Sequence, residues 1–179
     1  MERDVKGVLV SEEELRQICK RLGEQITRDY QGKNLLVVSV LKGAVVFMGD
    51  LLREIKCDCI IDFIAVSSYS GTKTTGVVKF KKDLDIDPDG MDILIVEDIL
   101  DSGVTLSYLS GVLMGRNAKS IKICTLLDKP ANRKADITAD YVGKTIPDEF
   151  VIGYGLDYNE KYRNLPYVGI LDPSVYGGE

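Results

Sequence analysis

Ile95-Val96-Glu97-Asp98-Ile99-Leu100-Asp101-Ser102-Gly103-Val104-Thr105-Leu106 gathers the residue types best suited to chemistry in this chain. An apolar run, Ile93 to Val96, ends in two adjacent carboxylates. After two more apolar residues, Asp101, Ser102, Gly103 and Thr105 precede a helical pattern that resumes at Leu106. The order predicts a strand, a polar loop and a helix start. Backbone N–H groups and two hydroxyls at a helix N-terminus favour a phosphate, because first-turn donors lack partners and the helix dipole is positive there. Gly103 lets the backbone come close to such a ligand. Glu97 and Asp98 repel a bare phosphate but suit sugar hydroxyls or a divalent cation. One loop would therefore accept a phosphorylated sugar. It is not a Walker loop, since the Gly-Lys-Ser/Thr ending is missing.

Other candidates lie on either side. Leu41-Lys42-Gly43 puts a cation and a glycine where a buried strand, Asn34 to Val40, gives way to a helix over Ala44 to Ile55, a second anion-binding signal. Ser67 to Gly76 is small and polar and cannot bury a face. It is expected to be a mobile hairpin tip whose Tyr69, Lys73 and hydroxyls would suit a lid over a phosphorylated substrate. Histidine is absent, which removes Ser-His and Cys-His nucleophile pairs and leaves acid–base work to carboxylates, Lys or Tyr. Cys19, Cys57, Cys59 and Cys124 sit in apolar patterns without metal-ligand spacing and are expected to be buried, reduced thiols.

The elements that must carry these residues follow from apolar periodicity. The 179 residues suit one domain with a sizeable core, and 45% apolar with 28% charged residues excludes a disordered chain. Val10 to Leu15 starts a helix, with Ser11 as N-cap and Glu14 closing a capping box; Leu15, Ile18, Cys19, Leu22 and Ile26 recur at helical spacing. Strands are expected at Cys57–Ser67, Val77–Lys82, Asp92–Glu97 and Ile121–Leu127, with a helix over Val104–Met114. This alternation is that of an α/β fold, a mostly parallel twisted sheet flanked by helices, with its ligand at the strands' carboxyl ends. The last third, including the dense polar and aromatic run Gly155 to Pro166, is too short for a second domain and is expected to form a small hood. The expectation is a single domain over residues 1–179, its core about 10–128, its hood about 129–179 with the N-terminal segment. A net charge of −5 speaks against nucleic acid as a partner. No apolar run reaches the roughly 18 to 20 residues of a membrane span, and Met1-Glu2-Arg3-Asp4 is too acidic for a signal peptide, so a cytoplasmic protein is expected.

The order acid, acid, two apolar residues, acid, Ser, Gly, any residue, Thr at Glu97 to Thr105 resembles the type I phosphoribosyltransferase family. Leu41-Lys42-Gly43, Ser68-Tyr69, Lys129-Pro130, Ile146-Pro147-Asp148, Phe150-Val151 and Gly155 to Arg163 extend the likeness, in order from about Val10 to Pro173, to its bacterial hypoxanthine-guanine branch. The resemblance implies the type I fold and purine salvage. The phosphoribosyl group of 5-phosphoribosyl-1-pyrophosphate, bound with Mg2+, would pass to N9 of a 6-oxopurine, releasing pyrophosphate. It also implies a homodimer or homotetramer.

By the same resemblance Asp101 handles the purine N7 proton, and Ser102, Gly103, Val104 and Thr105 hold the 5′-phosphate. Val104 replaces a Lys found in some relatives. Glu97 and Asp98 would hold ribose hydroxyls and magnesium, and Asp157, beside the purine, would meet a second magnesium. The Leu41-Lys42 peptide, commonly cis in the family, would act with Gly43, Ser68, Tyr69 and Arg163 on pyrophosphate. Lys129 would donate to the purine O6, Phe150 would stack on the base, and the Val151 backbone would read its edge. A Lys donor accepts a carbonyl and rejects the 6-amino group of adenine, where two donors would face each other; such sites discriminate by up to ~10⁴ to 10⁵. Two departures stand out: Gly143-Lys144-Thr145-Ile146 in place of Gly-Phe-Glu-Ile, and Glu149 where a Lys commonly precedes the stacking Phe. The alternatives are a phosphoribosyltransferase preferring xanthine and a regulator that binds the phosphoribosyl donor without catalysis. A generic dinucleotide binder is excluded by the missing G-x-G-x-x-G turn.

Overall fold

Continuous apolar runs need cover on both faces, and the chain provides it by alternating strand and helix. In the computed structural model, which describes residues 2–68 and 78–177, the order is β1 (Val5–Val10), α1 (Glu12–Tyr30), β2 (Leu35–Leu41), α2 (Val45–Glu54), β3 (Cys59–Ser68), β4 (Val78–Lys82), β5 (Asp92–Leu100), α3 (Val104–Gly115), β6 (Ser120–Asp128), β7 (Tyr141–Thr145), β8 (Val151–Ile152), β9 (Val168–Leu171) and α4 (Pro173–Tyr176). Six strands form the main sheet in the order β4-β3-β2-β5-β6-β7, parallel except for β4. Side chains alternate between its faces. Val37, Leu94 and Val96 pack with Leu22 and Ile26 of α1 and Phe47 and Leu51 of α2. Val38, Ile93 and Ile95 pack with Leu106, Leu109 and Leu113 of α3. Each fully buried Leu or Ile contributes about 1.5–3 kcal/mol, so reversing either face would cost far more than any turn could recover.

Ser11 caps α1, its hydroxyl accepting from the Glu14 N–H at 3.2 Å. The Glu14 carboxylate does not complete the expected capping box; it pairs with Lys144 of β7 at 2.6 Å. Lys144, one of the two departures noted above, thus ties α1 to the sheet edge.

The N- and C-terminal parts of the chain meet in a second, three-stranded sheet, β1-β9-β8, with Val10 opposite Val168 and Val151 opposite Ile170. Ile152, Tyr162, Leu165 and Leu171 form its small core. Cys19 and Cys124 are buried as expected, whereas Cys57 and Cys59, near the start of β3, are only half-buried. Among the described residues no helix is long and apolar enough to cross a membrane.

Candidate functional site

The sheet order reverses between β2 and β5: from β2 the chain moves outward to β3, from β5 it moves the other way to β6. Crevices at such reversals, beyond the strands' carboxyl ends, receive ligands in open α/β sheets. Both predicted anion-binding segments start there. The expected strand end at Glu97 is corrected. β5 continues to Leu100 because β6 is equally long, and the ladder pairs Glu97 with Thr125 and Leu100 with Asp128. Glu97 is therefore held in the β5–β6 ladder, while Asp98, inside the strand but without a ladder partner, donates its N–H to the Glu97 carboxylate at 3.2 Å.

Three segments touch at this point. A Cβ on Gly43 would lie 1.7 Å from Asp98 Oδ2, and one on Gly155 2.1 Å from the Gly43 carbonyl oxygen. Only glycine at position 43 lets the β2 turn pass so close to a carboxylate. The Leu41–Lys42 peptide is cis. Burial and the neighbouring Asp98 charge raise the Glu97 carboxyl well above its usual range. Asp98 is also raised by burial, opposed by its hydrogen bond with Glu97 and, more weakly, by Arg163. A cation placed beside two such acids would favour their charged forms. Among the described residues no three acidic, Cys or His side chains converge into a metal cage. Two adjacent carboxylates, Glu97 on the edge of a cavity, suit a hard divalent ion that keeps most of its waters.

Lys42 and Arg163 come together on Glu160. One Glu160 oxygen accepts from Lys42 at 3.0 Å and Arg163 at 3.1 Å, and these bonds hold its carboxyl below the usual range. Arg163 also pairs with Asp157 at 2.9 Å and donates to the Gly155 carbonyl at 2.8 Å. Asp157 therefore faces a cation of the chain itself and shares Arg163 Nη2 with Glu160.

The Asp101–Thr105 loop lines a cavity of about 240 Å³ together with Glu97, Ile99 and Leu100. Gly103 has φ +76°, and no side chain caps α3. The Val104 N–H has only a 3.5 Å contact with the Ser102 hydroxyl, which leaves first-turn donors for a ligand. Arg133, absent from the residues picked out by sequence, holds this loop. Its guanidinium donates to the carbonyls of Asp101 at 2.8 Å, Ile137 at 2.7 Å and Leu100 at 3.2 Å, and pairs with Asp128.

On the far side of the loop, Lys129 lies 3.5 Å from Asp101 Oδ2 and 3.2 Å from Asp148 Oδ1, with its side chain only 11% exposed. The other Asp101 oxygen, Oδ1, is buried and has no hydrogen-bond partner among the described residues. Phe150 is half-exposed; Tyr176 stacks on it at 5.2 Å between ring centroids and Tyr158 meets its edge at 5.6 Å. Val151 is buried in β8. Ser68 ends β3, while Tyr69, Lys73 and the rest of the expected lid lie outside the described residues. Among the described residues the Glu149 side chain makes no hydrogen bond or ion pair with the pocket residues named above; its backbone N–H turns back to Pro147 O at 2.9 Å.

Sequence reasoning passed over Arg133, Asp148, Glu160 and Tyr176. Asp148 and Glu160 lay inside motifs already noted, yet as ordinary surface acids they carried no signal of their own. A second cavity, about 720 Å³, runs along α1 and α2 to Pro166 and includes Arg163 of the site. Two of the cations lining it are neutralised in place, Arg16 by Glu12 and Arg53 by Asp50.

Residues 9–159 match the model of the phosphoribosyl transferase domain. The chain is 55% identical over 177 residues to hypoxanthine-guanine phosphoribosyltransferase of Staphylococcus aureus, covering 98% of this chain and 99% of that protein. A crystal structure of the S. aureus hypoxanthine phosphoribosyltransferase superposes with a TM-score of 0.95 at 55% identity, covering 98% of this chain and 96% of that one. A hypoxanthine-guanine phosphoribosyltransferase of Bacillus anthracis, with a HEPES molecule in its active site, gives a TM-score of 0.89 at 51% identity, covering 93% of this chain and 99% of that one.

Proposed function

The chain belongs to the phosphoribosyl transferase domain family, and we propose that its reaction is purine salvage, the transfer of the 5-phosphoribosyl group from 5-phosphoribosyl-1-pyrophosphate to N9 of hypoxanthine or guanine. Positive charge grows at ribose C1′ as pyrophosphate leaves, so a catalyst must stabilise the departing anion and remove one purine proton. The observation that carries the reading is Asp101, whose buried, unpartnered oxygen sits at the head of the phosphate-type loop with Lys129 at 3.5 Å from its other oxygen.

Asp101 accepts the N7 proton as N9 attacks, and its unpartnered oxygen is ready for that hydrogen bond. Lys129 donates to the 6-oxo group. Phe150 offers its accessible ring to the base, and the Val151 backbone reads the base edge. The open N–H groups of Val104 and Thr105, with the Ser102 and Thr105 hydroxyls and the close approach at Gly103, receive the 5′-phosphate. The carboxylates of Glu97 and Asp98 take the ribose hydroxyls. Lys42 and Arg163 leave Glu160 for the pyrophosphate; by the family likeness Leu41, Gly43, Ser68 and Tyr69 would join them. Glu97 and Asp98 fit Mg2+ as a donor set of hard oxygens, and Asp157 is placed for a second ion once Arg163 turns to pyrophosphate; bound there, Mg2+ would neutralise charge on the donor's pyrophosphate. We further propose a homodimer or homotetramer acting in the cytoplasm, with neither nucleic acid nor membrane as partner.

The test is nucleotide formation from the donor and Mg2+ with hypoxanthine, guanine, xanthine and adenine offered singly. Product from hypoxanthine and guanine but not adenine is expected, and Asp101→Asn should cut kcat about 10²- to 10⁴-fold while sparing donor binding. Donor binding without product from any base would identify a sensor, and product from xanthine alone would reassign the base.

A further inference from the structure

Lys129 begins a short 3-10 turn, Pro130–Asn132, and two side chains of this segment converge on one acid. Lys129 Nζ lies 3.2 Å from Asp148 Oδ1, and Asn132 Nδ2 donates to the same oxygen at 2.9 Å. Asp148 is held from its own side as well, since the Ile146 N–H bonds the Asp128 carbonyl at 2.9 Å and anchors the Ile146-Pro147-Asp148 segment to the end of β6. The ammonium, almost shut off from water, therefore stands between two carboxylates, Asp101 at 3.5 Å and Asp148 at 3.2 Å.

We propose that Asp148 is a positioning residue for base recognition: it shares the Lys129 ammonium with Asp101, aiming Lys129 at the 6-oxo group and keeping it from closing over the proton acceptor. This inference rests on the salvage reading above. An ammonium has three donors, enough to serve Asp148, Asp101 and a purine oxygen at once. Remove the Asp148 charge, and Asp101 becomes the single carboxylate within reach. Lys129 then swings onto Asp101, losing its aim at O6 and covering the oxygen that must take the N7 proton. The first effect weakens binding of the base and the second slows the chemical step. Neither touches the donor, which is gripped from the other end of the loop.

Asp148→Asn keeps an acceptor for Asn132 and removes only the charge. With wild-type turnover of hypoxanthine established in the same assay, we expect KM for hypoxanthine and guanine to rise about 10-fold, as for loss of one hydrogen bond to a charged group. We also expect kcat to fall several-fold and KM for the phosphoribosyl donor to stay unchanged. Asp148→Glu, at a position 58% exposed with room for one more methylene, should recover most of the base affinity. Asn132→Ala should shift KM for the base in the same direction but less, giving a second reading if Asp148→Asn folds poorly. Unchanged KM for the base, or equal rises for base and donor, would overturn the proposal while leaving the salvage reading intact. A wild-type chain inactive with every base would overturn the salvage reading and this inference with it.

Discussion

Replacing Arg133 with Met should both destabilise the fold and disable the site, and the size of each effect follows from four contacts. The guanidinium serves the carbonyls of Leu100, Asp101 and Ile137 and the carboxylate of Asp128, and both charged side chains are largely buried, at 17% and 20% exposure. Methionine fills much of the stem's volume but donates nothing, leaving Asp128 as an unpaired, poorly solvated charge. Hydrogen bonds to a charged donor are worth about 1.5–3 kcal/mol each, but water admitted by the shorter side chain recovers part of this. The net loss should match that for breaking a buried ion pair, about 3–5 kcal/mol. For a chain of this size that corresponds to a fall in Tm of about 6 to 20 °C. The Asp101–Gly103 backbone would also lose its brace, and a shift of about 1 Å in reacting groups costs about 10²-fold in rate. Thermal unfolding followed by circular dichroism, with steady-state kinetics well below Tm, reads both effects. Asp128→Asn should cost less, since Arg133 would keep its three carbonyl acceptors, and a double-mutant cycle should show the two residues coupled. A Tm within 2 °C of the parent and an unchanged kcat/KM would refute the claim that this arginine shapes the loop.

Three further outcomes are expected. Since the Glu97 carboxyl is raised in the fold, its contribution to stability is full below the ordinary glutamate value and is lost as pH rises through the raised value. Without divalent cations, Tm of the parent should therefore fall relative to Glu97→Gln as pH rises above the ordinary glutamate range, and Mg2+ with the donor should reduce that slope; a parent gaining on the variant as pH rises would contradict the assignment. Glu160→Gln frees Lys42 and Arg163 from a competing carboxylate, so inhibition by pyrophosphate should tighten several-fold, and titration of the initial rate with pyrophosphate decides it. Gly103→Ala meets Ile137 Cγ2 at 2.5 Å and takes on left-handed backbone strain of about 1–2 kcal/mol, so it should lower Tm and raise KM for the donor more than for the base. Equal rises in the two constants would argue against this loop as the phosphate seat.

The sequence by itself determined the parts list of this protein. Apolar runs at Leu35–Leu41 and Ile93–Val96 could be satisfied only in a two-sided sheet, and the acids at Glu97 and Asp98 could be assigned to a strand end and the hydroxyls and glycine from Asp101 to Thr105 to a loop at a helix start, because these signals are local in the chain. The family's motifs likewise singled out Asp101, Lys129 and Phe150 as candidates. Tertiary structure alone decided which charges meet. It ran β5 through the two acids to match the length of β6, gave Glu14 to Lys144 in place of a capping box, and set Glu160 between Lys42 and Arg163 across 118 positions of chain. It also placed Arg133 against the Leu100 and Asp101 carbonyls and Asp148 beside Lys129. An apolar residue announces its burial through the period of its own helix or strand. A charged residue is defined by its partner, and that partner depends on where distant loops cross.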